Sequence, residues 1–273
     1  MSSAGRRAVW VAVAVVVVVV GAVIAVFVSR HPVAQAPACT VTPVTTGGAG
    51  FALSPEQTDN AATIAAVGQQ LGMPAHAVTV AFATALQESH LINLAGGDLD
   101  SAGLFQQRPS EGWGTHAQVT DPVHASLAFY QHLRTVPGWT TLSVTDAAQR
   151  VQHSGAPDAY AQWEDEARAL AVAFTGQRPA ALTCQHLTIG APQASLAGTA
   201  AAEWGTSTLP GPHPADQGWA MSTWLVAHAQ RLGVDKVTFA GRTWTAGSGQ
   251  WSADGPAVDT LSLHQVPVTS GSP

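Results

Sequence analysis

Residues 77–86 read Ala-Val-Thr-Val-Ala-Phe-Ala-Thr-Ala-Leu and carry no charge. A helix that is apolar on every side belongs inside a domain. Glu88 follows near the C-terminal end of this run. Burial disfavours its anion, and so does the negative end of the helix dipole. A carboxyl kept protonated near neutral pH is what a general acid requires. The same position also suits a solvated carboxylate just past the buried turns, and the helix alone leaves both readings open. A loop follows, Gly96-Gly97-Asp98-Leu99-Asp100-Ser101-Ala102-Gly103-Leu104-Phe105-Gln106-Gln107-Arg108-Pro109, and then Ser110-Glu111-Gly112-Trp113-Gly114. Trp113 and Arg108 beside glycines suit a sugar cleft, where an aromatic face packs on a pyranose ring. A loop-packing tryptophan fits the same pattern. The eleven histidines are scattered without ligand spacing and no Cys-x-x-Cys occurs, so neither a metal site nor a cofactor is expected.

Helices must position these groups. Ser54-Pro55-Glu56-Gln57 is a helix start, with Ser54 as cap, Pro55 in the first turn and Gln57 completing a capping box. This helix is expected to run to about Leu71 and stop at Gly72. A second runs from Pro74 or Ala75 to about His90. Asp121-Pro122 opens a third, which ends before Pro137-Gly138. Ser143 or Thr145 caps a fourth, ending near Gly155, and Pro157 opens a fifth, reaching about Phe174. Strand signals are weak throughout 54–178.

The order of features, Glu88-Ser89 ending a buried helix and then Gly103-Leu104-Phe105-Gln106, resembles the lytic transglycosylases with a lysozyme-like domain, which cut peptidoglycan with one glutamate. Ala159-Tyr160 matches the first two residues of that family's third motif. Ala161 stands where Asn is usual, with Gln162 after it. The resemblance spans about residues 58–175. It implies Glu88 as the acid/base for the β-1,4 bond between N-acetylmuramic acid and N-acetylglucosamine, leaving a 1,6-anhydro end. It implies Ser89, Gly103, Gln106 and Tyr160 as substrate-binding or supporting residues, and glycan strands as the partner; Gln107 and Trp113, from the glycine-flanked segment after the motif, are further candidates for substrate binding. The related goose-type lysozymes use extra aspartates to activate water. Asp98 or Asp100, with Glu111 as a poorer candidate, would then make the enzyme a hydrolase. A non-catalytic glycan-binding or scaffold module is the third reading.

Composition sets the setting. Only 10% of the 273 residues are charged and the net charge is −6, which disfavours nucleic acid as a partner. Ala8 to Val28 is an unbroken apolar run long enough to cross about 30 Å of hydrocarbon. Arg6 and Arg7 before it favour an N-terminus inside and the remaining chain outside. Secretion after signal cleavage near Ala36-Pro37-Ala38 is the alternative. An exported location permits a Cys39–Cys184 disulfide; two unpaired thiols are the other possibility. Protein partners are not legible.

The expected organisation is a cytosolic N-terminus and signal anchor (1–30), a spacer (31–53), a lysozyme-like catalytic domain (54–185) and a linker (186–217). A small α/β accessory unit with a disordered tail (218–273) completes it. The expected fold class is mainly α. The last unit faintly resembles a module of exported actinobacterial proteins, some of whose relatives look like zinc peptidases. Here His213, Asp216 and His264 are only loose candidates for such a ligand set.

Overall fold

Ser54 caps the first helix of the protein as its side chain accepts from Gln57 N at 3.1 Å, while Ser54 N donates to Gln57 Oε1 at 2.8 Å. The computed structural model describes residues 35–45 and 47–267. The helices are α1 (Pro55–Gln70), α2 (Ala75–Ser89), α3 (His116–Val119), α4 (Pro122–Thr135), α5 (Val144–Gln152), α6 (Glu164–Phe174), α7 (Leu196–Trp204), α8 (Ala215–Ala227) and α9 (Ala229–Leu232). Helix α2 is buried at every position from Ala77 to Leu86, as its uniformly apolar sequence requires. It is surrounded by α1, α4, α5 and α6. The expected fifth helix is divided. Ala159–Trp163 is a 3₁₀ turn, and the α-helix starts only at Glu164. Glu164, Asp165 and Glu166 there face the positive end of the helix dipole.

The expectation of a mainly α fold is overturned. Among the described residues nine α-helices make up 44%, and two antiparallel sheets another 15%. One sheet has the order β2-β1-β3, from β1 (Ala38–Val41), β2 (Phe51–Leu53) and β3 (Leu182–Gln185). Two of its strands lie in the segment expected to be a spacer, and the third closes the helical region. The other sheet has the order β4-β8-β5-β6-β7, from β4 (Gly211–Pro212), β5 (Val234–Phe239), β6 (Arg242–Thr245), β7 (Trp251–Ala253) and β8 (Thr260–Gln265). Strands of two to four residues are too short to show a period of two, so β1 to β4 left no signal in the sequence. Cys39 and Cys184 sit opposite each other in the β1–β3 register and form a disulfide.

From Pro37 onward the described residues group as one unit. Helix α8 packs on β5 and also on α1 and α6. Gly218 permits the first contact, since a Cβ there would lie 2.0 Å from Phe239 Cζ. The expected linker 186–217 contains α7, whose Glu203 is 2% exposed. Glu203 belongs to a buried charge cluster that joins the two halves. His228 is fully buried and hydrogen-bonds Asp59 of α1 through Nδ1 and Glu203 Oε2 through Nε2, the latter at 3.0 Å. Arg231 donates to Asp59 Oδ1 at 3.0 Å and to Glu203 Oε1 at 3.2 Å. Trp224 Nε1 donates to Glu203 Oε2 at 2.7 Å.

No described helix is long and apolar enough to cross a membrane. The expected membrane span, 8–28, lies outside the described residues, as does the end of the expected tail.

Candidate active site

Helix α2 ends on Ser89, and His90 leaves it in the left-handed conformation, φ 52°. This places the last turn, with Glu88, at the wall of a cleft of about 380 Å³. The cleft is lined by Glu88, Asp98, Ser101, Gln106, Arg108 and Gln152, among others. The Tyr160 hydroxyl, from the 3₁₀ turn, donates to Glu88 Oε1 at 2.8 Å. Tyr160 itself is fully buried, so this bond fixes the carboxyl to the core. Burial raises the pKa of Glu88, while hydrogen bonds from Tyr160 and Gln152 pull it back in part; the net direction is upward. Tyr160 is pushed up as well, by burial and then by the adjacent carboxylate, so it stays a neutral donor.

The turn that follows is built onto α2 by Ser89. Its Oγ lies 2.7 Å from Leu104 O and 3.0 Å from Ala85 O, sharing one proton between them. Ser89 is buried and ties the turn to the helix instead of reaching into the cleft. Gly103 has φ 77°, and a Cβ on it would lie 1.9 Å from Val119 O. The close approach that Gly103 allows is therefore to the end of α3, and its amide donates to Leu94 O at 2.7 Å. Gln106 does line the cleft, held by Ser101 Oγ at 3.0 Å and by its own bond to Gly103 O at 3.1 Å. Gln107 points the other way. It is 1% exposed and donates to Ala125 O at 3.0 Å, so it fastens the turn to α4. Trp113 stacks on His132 with ring centroids 3.9 Å apart and is not among the cleft residues.

The two aspartates separate. Asp100 accepts from Arg108 Nε at 2.9 Å, Ser110 N at 2.7 Å and Ser110 Oγ at 2.9 Å. These bonds hold its carboxyl down to about 2 and occupy it in closing the loop. Glu111 pairs with Arg108. Asp98 lines the cleft with Glu88 and forms no salt bridge among the described residues. Of the C-terminal candidates, His213 bonds Leu209 O and His264 bonds Asp235. The described residues contain no group of three or more His, Cys, Asp and Glu able to hold a metal.

Sequence reasoning missed Gln152, His153 and Ser154, which form the cleft wall facing the loop. They lie far along the chain from Glu88, and no spacing links them to it. The capped start of α5 at Ser143 was the only signal, and it locates the helix without showing which end meets the site. No family model matches the chain, and no curated protein matches it.

Proposed function

We propose that the protein cleaves the β-1,4 bond between N-acetylmuramic acid and N-acetylglucosamine in peptidoglycan, with Glu88 as the single acid/base. The observation that carries this reading is the Tyr160–Glu88 hydrogen bond at 2.8 Å on the wall of an open cleft. Glu88, raised by burial, gives its proton to the bridging oxygen as the C1–O bond breaks. The muramic C6 hydroxyl attacks C1, and the Glu88 carboxylate takes the proton that this hydroxyl loses. The products are a free 4-hydroxyl and a 1,6-anhydro end, and the acid is restored with no water consumed. A second carboxylate, which ordinary glycosidases need, has no part in this route. The choice of glycan strands rests on the Glu-Ser and Gly-Leu-Phe-Gln resemblance. The disulfide agrees with an exported location, in keeping with a membrane anchor through residues 8–28 or with secretion.

One observation favours a second reading. Asp98 shares the cleft with Glu88 and, unlike Asp100, forms no salt bridge among the described residues. If Asp98 held a water, the products would be hydrolytic. Incubation with purified peptidoglycan and mass spectrometry of the released muropeptides separates the readings. Products 18 Da lighter than the hydrolytic ones, by the mass of one water, and absent with Glu88→Gln, are expected. Reducing ends would assign hydrolysis. Sedimentation with peptidoglycan without any Glu88-dependent product would leave a glycan-binding module.

A further inference from the structure

Gln87 precedes Glu88 in the last turn of α2, and its side-chain oxygen is held by two donors from the 3₁₀ turn that carries Tyr160. Trp163 Nε1 donates to Gln87 Oε1 at 2.9 Å, and Gln162 Nε2 donates to the same atom at 3.0 Å. The second proton of the Gln162 amide goes to Ala159 O, also at 3.0 Å. Chemistry fixes these polarities, since an indole N–H only donates and a backbone carbonyl only accepts. The oxygen of Gln87 must therefore face Trp163, and the nitrogen of Gln162 must face Ala159. His90 adds a further contact, its ring meeting Trp163 edge-on with centroids 5.1 Å apart.

These bonds bracket Tyr160. Ala159 and Gln162 lie on either side of it along the chain, and the Gln162 amide joins both to the residue beside Glu88. Little else local holds the turn. Neither the 3₁₀ turn nor α6 after it is capped by a side chain, and 3₁₀ geometry makes poorer hydrogen bonds than an α-helix. Ala161, which stands where an Asn is usual in the resembled family, is exposed and has no polar side chain. The amide of this turn comes instead from Gln162 and is directed to α2. The acceptor it meets is neutral. A carboxylate at position 87 would accept the same two bonds, but its charge would oppose the ionisation that Glu88 undergoes as it gives up its proton.

We propose that Gln87 is a positioning residue for the Tyr160–Glu88 pair, setting the 3₁₀ turn against the end of α2 so that the phenol hydroxyl stays on the carboxyl. This rests on the reading of Glu88 as the acid/base. Tyr160 lies 72 residues along the chain from Glu88, and Gln87, one residue from Glu88, ties that remote turn to the same helix end. Without the tie the hydroxyl is free to withdraw. Its hydrogen bond pulls the Glu88 carboxyl down, so withdrawal leaves the group titrating at higher pH and less well aimed at the oxygen it protonates.

Gln87→Met keeps the length of the side chain and removes the acceptor. In the full chain it is expected to move the Glu88 titration, followed by ¹³C NMR of the side-chain carboxyl, to higher pH. The alkaline limb of the cleavage profile should move with it, and kcat should fall ~10-fold at near-constant KM. Trp163→Phe keeps an aromatic ring and removes the N–H, and is expected to shift the titration in the same direction by less. Added to Gln87→Met it should change nothing further, because the bond it removes is already gone. An unchanged Glu88 titration in Gln87→Met overturns the proposal even if Tm falls, and so does a double variant whose shift is the sum of the two. Wild-type cleavage that is insensitive to Gln87→Met removes the positioning role alone. A wild-type protein that fails to cleave peptidoglycan removes the acid/base reading, and the titration then decides by itself whether Gln87 sets the pair.

Discussion

Glu88 sits where burial and hydrogen bonding act against each other. Its pKa is raised overall, so the folded state holds the proton more tightly than the unfolded chain does. The sign follows: relative stability from this group is present at low pH and is lost as pH rises through the raised value. Glu88→Gln keeps an oxygen for the Tyr160 hydroxyl and removes the buried charge. At pH 7 it is expected to abolish cleavage while leaving Tm unchanged or higher by roughly 1–2 °C, with the gain vanishing near pH 4. A Tm several degrees lower would mean that the carboxylate serves structure. The aspartates give a contrast at the same scale. Asp98→Asn is expected to leave 1,6-anhydro products in place, because nothing in the proposed route uses a second carboxylate. Asp100→Asn removes the charge that Arg108 pairs with, and is expected to raise KM by loosening the loop. The apolar run before Glu88 made its position at the end of a buried helix legible, but its place on the cleft wall depends on Tyr160, 72 residues away. Gln107 lies outside the cleft because position along the chain does not reveal side-chain direction, and Trp113 takes the loop-packing role that its glycine-rich surroundings also allowed. One residue along the chain separates Gln106, in the cleft, from Gln107, under α4.

The turn after α2 is shaped by backbone contacts more than by side chains. Gly103 combines a left-handed φ of 77° with a carbonyl where its Cβ would be. Gly103→Ala therefore meets two obstacles. The backbone conformation alone disfavours Ala by about 1 kcal/mol, and relief of the contact requires α3 to move. A Tm lower by roughly 3 °C or more is expected, with reduced cleavage because Gln106 and the Ser89–Leu104 link move together. An unaltered melting curve would refute this account of the turn. Helix positions were readable in advance wherever a cap was written locally, as at Ser54, Asp121 and Ser143. The first sheet was not, because its pairing is remote. β1 meets β3 across a sequence separation of 145, and neither strand carries an alternating pattern of its own. The fifth helix was misjudged at its start for a related reason. Pro157 suits a first turn, but the acidic triplet at Glu164 offers a better dipole match seven residues later.

Two remote ties link distant parts of the chain, one covalent, within the first sheet, and one ionic, between the two halves. The disulfide closes 145 residues of chain, which on a chain-entropy basis stabilises the fold by about 4–5 kcal/mol. Reduction is expected to lower Tm by on the order of 10 °C, and Cys39→Ser with Cys184→Ser should reproduce the loss and become insensitive to reductant. The ionic tie is sensitive to pH. Both ring nitrogens of His228 face carboxylates, which favours a proton on each, while the Arg231 guanidinium, 2.9 Å from Nδ1, works against the second. Burial also opposes a charged ring, but Asp59 and Glu203 overcome it and raise the pKa to about 9. For a histidine raised in this way the stability is fully present below its unfolded value near 6.5. It is lost as pH climbs from there through about 9. The loss is on the order of 3 kcal/mol. Tm is expected to hold between pH 5 and 6.5, then to fall by roughly 5–10 °C by pH 9.5. His228→Gln should be less stable at pH 6 and show a flatter decline above it. A wild-type Tm that stays constant to pH 9.5 would show that the ring is neutral in the fold, leaving Arg231 alone to balance Asp59 and Glu203.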